Sequence, residues 1–160
     1  MNIRPIQPQD NQILLEMIQQ VFVEFDAPRE GTVFSDPTTK NLYQLFQVKN
    51  AFCYVVEVEG IVQGCCGIYP TEGLPTECTE LVKFYLPNSA RGKGFGKVLM
   101  QKCEETALEL GYSQIYIESL PDFDKAVSIY EKNGYERLQK PLGNSGHFGC
   151  NIWMVKNLKN

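Results

Sequence analysis

Seven consecutive residues carry the clearest chemistry in the chain: Arg91-Gly92-Lys93-Gly94-Phe95-Gly96-Lys97. An apolar, strand-like run from Glu80 to Leu86 precedes them, and Leu99, Cys103, Ala107 and Leu110 follow at helical spacing. A glycine-rich turn between a strand and a helix leaves the first amide N–H groups of that helix unpaired and pointing one way, which suits a phosphate. Glycines at 92, 94 and 96 remove the Cβ atoms that would hold an anion off the backbone, while Arg91, Lys93 and Lys97 add positive charge. The expectation is a pyrophosphate site. A Walker loop does not fit, because Gly96-Lys97 is followed by Val98 and position 91 is arginine instead of glycine. The dinucleotide fingerprint does not fit either, since its third glycine would fall at Lys97.

Other reactive side chains are less organised. Cys53, Cys65, Cys66, Cys78, Cys103 and Cys150 include no C-x-x-C pair, and His147 is the single histidine, so no metal site is expected. Most of these cysteines sit in apolar runs and read as buried free thiols. His147, at the end of Gly143-Asn144-Ser145-Gly146-His147, reads as a loop histidine, with a place lining a pocket as the alternative. A net charge of -4 gives no basic surface for nucleic acid. No apolar run approaches the ~20 residues that span a bilayer, and Met1 to Pro5 lacks a signal-peptide layout, so a cytoplasmic protein without membrane contact is expected. A length of 160 residues, 43% hydrophobic, suits one domain over 1-160 with its own core.

The elements that would position the glycine-rich turn are legible in the periodicity. Ile3 to Ile6, with Pro5, reads as an edge strand. Pro8-Gln9-Asp10 opens a helix whose buried face would be Ile13, Leu14, Met17, Ile18, Val21, Phe22 and Phe25, ending at Asp26-Ala27-Pro28. Residues 27 to 36 form a loop, and Asp36-Pro37 caps a second helix reaching about Lys49. Phe52 to Val58 and Ile61 to Tyr69 flank Glu59-Gly60 as a hairpin, and Glu80 to Leu86 is a central strand. The helix after the glycines stops at Gly111, and Ser113 to Ser119 is another strand. Pro121-Asp122 starts a short helix with Ala126, Val127, Ile129 and Tyr130 that closes at Asn133-Gly134. Strands at Tyr135 to Gln139 and Phe148 to Val155 flank the turn Pro141 to Gly146. The order β, α, α, β, β, β, α, β, α, β, β predicts an α/β (α+β) domain with a mixed sheet.

Arg91, Gly94 and Gly96 match the signature of the GNAT superfamily of N-acyltransferases, which is Gln or Arg, two residues, Gly, one residue, then Gly or Ala. The chain also resembles that superfamily in its Ile3-Arg4-Pro5 start, in Glu80-Leu81-Val82-Lys83-Phe84-Tyr85-Leu86, and in Ala126 to Tyr130 followed by Lys132-Asn133-Gly134-Tyr135-Glu136. The resemblance implies a twisted, mostly antiparallel sheet flanked by about four helices. It implies acetyl-CoA as co-substrate, without a metal, and transfer to the primary amine of a small molecule or peptide within a ternary complex. Phe84, Tyr85 and Leu86 would pair through their backbone with the pantetheine arm, and Gly92 to Lys97 would hold the pyrophosphate. Tyr130 would stand beside the coenzyme A sulfur, and Glu80 would accept the proton of the amine, with Glu118 a weaker substitute. Tyr135 reads as core. The loop of Arg29, Thr32, Phe34 and Ser35, with that of Thr71 to Glu77, would cover the acceptor. One departure stands out: Phe123 occupies the position where many relatives carry asparagine, so no cofactor contact carries over there. A catalytically silent acyl-CoA sensor is the alternative function, and a homodimer is the commonest symmetric assembly.

Overall fold

The computed structural model describes residues 1–159. Seven strands form one sheet: β1 (Asn2–Pro5), β2 (Phe52–Val58), β3 (Ile61–Tyr69), β4 (Cys78–Tyr85), β5 (Gln114–Ser119), β6 (Glu136–Arg137) and β7 (Ile152–Asn157). Their spatial order is β1-β2-β3-β4-β5-β7-β6, with β4 and β5 parallel and every other pair antiparallel. Four helices complete the fold: α1 (Asn11–Glu24), α2 (Leu42–Leu45), α3 (Phe95–Glu109) and α4 (Asp124–Lys132). This is the mixed, mostly antiparallel sheet with about four helices that the sequence predicts.

Local chemistry explains the elements. Pro5 sits on the edge strand, where its missing donor costs no ladder bond. The β2–β3 hairpin turns through Glu59 (φ 52°) and Gly60 (φ 80°), both left-handed as a primed two-residue turn requires. Gly134 (φ 90°) ends α4 after Asn133, whose side-chain amide donates to the Ile129 carbonyl at 2.8 Å.

Three expectations need correction. The second helix does not run to Lys49: Pro37–Asn41 is a 3-10 turn and α2 is a single α turn. Asn41 interrupts the run, because its side chain turns to cap the Gln44 amide at 3.2 Å. The last strand starts at Ile152, not Phe148, and β6 keeps only Glu136–Arg137 of the expected five residues. The chain from Pro141 to Asn151 is instead drawn into contacts with other loops. Ile13 and Ile129 are exposed, at 45% and 47%, because each lies at the rim of its helix's apolar stripe.

The sheet separates two cores. On one face α3 and α4 pack Leu99, Met100, Cys103, Val127 and Tyr130 against Val56, Ile68, Leu81, Ile115 and Met154. On the other face α1 and α2 pack Leu14, Ile18, Phe22 and Leu42 against Cys53, Val55 and Cys65. All six cysteines are free thiols, five of them buried.

Candidate active site

The parallel pairing of β4 and β5 covers Cys78↔Gln114, Thr79↔Ile115 and Glu80↔Tyr116 and then stops. Both strands continue, β4 to Tyr85 and β5 to Ser119, so the centre of the sheet opens into a split. A β-bulge lies on the other flank of the same stretch. Cys65 pairs with Tyr85 but Gly67 pairs with Val82, so β4 uses an extra residue there. The extra residue adopts a left-handed backbone at Lys83 (φ 54°), and the Cys65 thiol donates to the Lys83 carbonyl at 3.1 Å. Left-handed backbone outside glycine is costly and tends to persist where the surroundings impose it. Beyond Glu80, the β5-facing edge of β4 has no ladder partner, so its backbone groups are free to pair with an extended chain. Phe84 and Tyr85 stand on this open stretch, and Leu86 follows it.

The bulge also sorts the side chains. Leu81 and Phe84 belong to the α3–α4 core, while Val82 and Tyr85 belong to the α1 core. Simple alternation would send residue 83 toward α3; the extra residue keeps Lys83 on the α1 side, with Glu80. A polar cluster results. Glu80 is 4% exposed and accepts a short hydrogen bond from Thr71 Oγ1. Burial pushes its carboxyl up to about 7; the Thr71 bond opposes this and the nearby Glu118 charge adds to it. Glu118 accepts from Tyr116 Oη at 2.8 Å and from Ser145 Oγ. Lys83 is 6% exposed, and burial lowers its pKa against the raising influence of Asp36 and Glu80.

Three loops close over this cluster. His147 Nε2 meets Asp36 Oδ2 at 2.7 Å, the Gly149 amide donates to the Gly31 carbonyl at 2.8 Å, and the Asn144 amide donates to the Glu72 carbonyl at 2.7 Å. Thr32 is tied inside its own loop, donating to the Arg29 carbonyl at 2.7 Å, and Arg29 lies over the Phe34 ring at 4.8 Å. Ser35 donates to the Thr32 carbonyl at 3.4 Å. Asp36 is held as a carboxylate, to about 2: burial opposes this, but hydrogen bonds from His147 and Thr38 outweigh it.

Tyr130 lies on the opposite face. It is 5% exposed, its ring centroid is 6.1 Å from Phe84 and 5.7 Å from Tyr135, and no described residue hydrogen-bonds its hydroxyl; because no sealed side-chain oxygen among the described residues lacks a partner, that oxygen reaches accessible surface. Burial raises its pKa beyond the usual phenol range, so the group stays protonated. Tyr135 is core, as expected, and its hydroxyl donates to Glu104 at 3.0 Å. Phe123 serves the other face, meeting Phe22 and Phe25 edge-on at 5.4 and 5.5 Å.

The glycine-rich turn follows β4 through a 3-10 turn at Asn88–Ala90. Gly94 (φ 84°) caps α3 without a side-chain bond, and the Val98 amide is the first to find a helical acceptor, the Gly94 carbonyl at 3.3 Å. The amides of Phe95, Gly96 and Lys97 therefore open outward. A Cβ on Gly96 would stand 3.1 Å from the Phe84 ring, so glycine there lets the helix start close to β4. Gly92, Lys93 and Lys97 are exposed at the same mouth. Arg91 points elsewhere: its Nε donates to the Leu86 carbonyl at 3.1 Å, a terminal nitrogen donates to Glu24 at 3.0 Å, and its guanidinium covers Phe25 at 4.9 Å. That arginine ties the turn to α1.

Lys83, Asp36 and Ser145 are members of the cluster to which their sequence positions assign no site role, while Thr71 opens the loop expected over the acceptor and bonds Glu80. Lys83 alone carries a signal, as the one charge inside the run Leu81 to Leu86. The others come from three loops far apart in the chain. Surface clefts of about 520 Å³ beside α1 and about 310 Å³ beside α4 contain neither Glu80, Lys83 nor Tyr130. Among the described residues no group of three or more His, Cys, Asp or Glu is placed to hold a metal, and no helix is long and apolar enough to cross a membrane.

Comparison with known proteins gives this geometry a context. Residues 16–135 match the model of the Acetyltransferase (GNAT) family. The uncharacterized N-acetyltransferase YjgM of Escherichia coli (strain K12) is 34% identical over 98% of this chain and 99% of its own length. In fold, the chain is similar to a GNAT acetyltransferase of Staphylococcus aureus Mu50, with a TM-score of 0.85 at 21% identity over 99% of each chain. It is also similar to the PaiA N-acetyltransferase of Thermoplasma acidophilum, solved in complex with coenzyme A, with a TM-score of 0.75 at 16% identity over 98% of each chain. With the split sheet and the open helix start already in place, the match over most of its length shows that this chain belongs to the GNAT family of acetyltransferases.

Proposed function

We propose that the chain transfers an acetyl group from acetyl-CoA to the primary amine of a small molecule or peptide by direct attack within a ternary complex. The observation that supports this most is the split between β4 and β5, which has an elevated carboxyl, Glu80, on one face and a protonated phenol, Tyr130, on the other. The pantetheine arm adds to the free edge of β4 at Phe84, Tyr85 and Leu86, and the pyrophosphate meets the open amides of Phe95, Gly96 and Lys97 with the charges of Lys93 and Lys97. Arg91 fixes the turn, and Gly92 and Gly94 give it its left-handed path.

The amine enters from the α1 face and its nitrogen attacks the thioester carbon. Glu80 takes the proton the nitrogen sheds, directly or through water, and an affinity near neutral pH suits that role. The tetrahedral oxygen is stabilised by the unpaired backbone N–H groups of the bulged stretch of β4. The carbon–sulfur bond then breaks, and the thiolate emerges on the α3–α4 face, where the Tyr130 hydroxyl has no competing partner and hydrogen-bonds it.

A panel of amino acids, polyamines, aminoglycosides and short peptides with free N-termini, incubated with acetyl-CoA while free thiol is measured, tests the reading. Thiol release that depends on an amine is expected, together with thermal protection by acetyl-CoA alone. Protection without turnover on any amine would point to an acyl-CoA sensor instead.

A further inference from the structure

Among the groups over the β4–β5 split, the negative charges are satisfied and the positive one is not. Asp36 accepts from His147 Nε2 at 2.7 Å, the Thr38 amide at 2.9 Å and Thr38 Oγ1 at 2.7 Å. Glu118 accepts from Tyr116 and Ser145, and Glu80 accepts from Thr71. The Lys83 ammonium has three donors on a side chain of a residue only 6% exposed, and it makes neither a hydrogen bond nor an ion pair with any described residue; because no sealed side-chain nitrogen among the described residues lacks a partner, its Nζ reaches accessible surface over the split. Buried ammonium groups are stable when paired. The backbone gives the same emphasis, since the left-handed residue of the bulge is Lys83 itself, and the bulge turns its side chain away from the α3–α4 core.

From this we infer that Lys83 binds an anionic group of the acceptor, so that the acceptor is a small amino-carboxylate whose amine goes to Glu80 and whose carboxylate goes to Lys83. The inference rests on the acetyl-transfer reading above and narrows its substrate class. Glu80 and Lys83 share one face of one strand, three residues apart, a separation of no more than roughly 10 Å along the backbone. Two opposite charges at that spacing match a compact zwitterion, either an α-amino acid or a short ω-amino acid. Polyamines and aminoglycosides, which bring only positive charge, would leave Lys83 unpaired and facing like charge. Burial already weakens the hold of Lys83 on its proton, and an arriving carboxylate would restore it.

The test compares each of a series of α- and ω-amino acids with its own carboxamide as acceptor, using the full chain and acetyl-CoA. For the best acceptor, kcat/KM of the acid should exceed that of the amide by about 30-fold or more, the scale of a buried charge pair losing one partner. In Lys83→Met the acid-to-amide ratio should collapse toward one, chiefly through KM of the acid, and Lys83→Arg should recover part of it. Amides or simple amines used as well as the acids by the wild type would overturn the inference while leaving acetyl transfer standing. A ratio unchanged in Lys83→Met would remove Lys83 from acceptor recognition. No thiol release with any amine would instead overturn the acetyl-transfer reading and this inference with it. The wild-type comparison decides the point even if a variant fails to fold.

Discussion

The two faces of the sheet at the β4–β5 split are built from different materials. On the α3–α4 face the split is lined by rings, Phe84, Tyr130 and Tyr135, and the hydroxyl of Tyr130, though it touches accessible surface, has no partner among the described residues. On the α1 face it meets Glu80, Lys83, Glu118, Asp36 and His147, gathered from two strands and two loops; hydrogen bonds hold the three carboxylates, and the Lys83 ammonium has none. A reaction that removes a proton from one partner and releases a sulfur anion from the other needs two such environments at once. Acid–base work calls for titratable groups with shifted affinities, whereas a leaving thiolate needs one donor in a dry setting. One extra residue in β4 keeps both sets apart, since it places Lys83 on one side and Phe84 on the other.

The sharpest way to break this contrast is Glu80→Gln. It should lower kcat/KM by about 100-fold or more, the range of a lost general base. In the wild type, kcat/KM should rise with pH through about 7, where Glu80 gives up its proton, and the variant should lose that limb. Stability runs the other way. The carboxyl is raised from 4.5 to about 7, so the native state keeps a proton that the unfolded chain has released. The contribution is fully present below 4.5 and is lost as pH climbs through about 7, a change on the order of 3 kcal/mol. Denaturant unfolding at pH 5 and pH 8 should therefore show a fall in stability that Glu80→Gln reduces. A flat activity profile between those values would leave Glu80 a structural carboxyl.

The loop cover on the α1 face should respond to acid with the opposite sign. Asp36 is depressed from 3.8 to about 2, so its contribution is present above 3.8 and is lost as pH falls through about 2. The expected size is on the order of 2 kcal/mol, shared with His147 and Thr38. Asp36→Asn should lower stability at neutral pH and flatten the acid limb of the unfolding curve below pH 4. Hydrogen exchange in residues 143–150 should speed up in the same variant, because the bond to His147 links that loop to residue 36.

Much of this architecture is written in local patterns. The hairpin at Glu59-Gly60, the edge strand at Pro5, the central strand before the glycines and the stop at Gly111 each follow from turn chemistry or periodicity confined to a few residues. The glycine-rich turn and open helix start at 92–97, on which the proposed pyrophosphate site rests, are legible for the same reason. The polar cluster is not, because Asp36, Thr71 and Ser145 meet only once the sheet has brought three loops to one end of β4. The bulge at Lys83 is hidden too: it is a matter of register between β3 and β4, and period-two alternation cannot show an inserted residue. Arg91 is the instructive middle case. Its position in the turn is legible, but its turn away from the mouth toward Glu24 depends on where α1 comes to rest.

The aromatic face supplies the smallest expected effect and the cleanest separation of roles. Tyr130→Phe removes an oxygen that no described residue bonds and leaves the ring against Phe84 and Tyr135. Its unfolding free energy should stay within about 0.5 kcal/mol of wild type, since no hydrogen bond is broken and no cavity larger than one atom is opened. Turnover should nevertheless fall by about tenfold in kcat with little change in KM for acetyl-CoA, because the lost interaction forms only as the thiolate departs. Glu80→Gln and Tyr130→Phe would then part company on stability while agreeing on rate, as expected if one face titrates and the other only donates. If kcat is unchanged, the thiolate leaves without help from the phenol, and the contrast between the faces reduces to packing on one side and acid–base chemistry on the other.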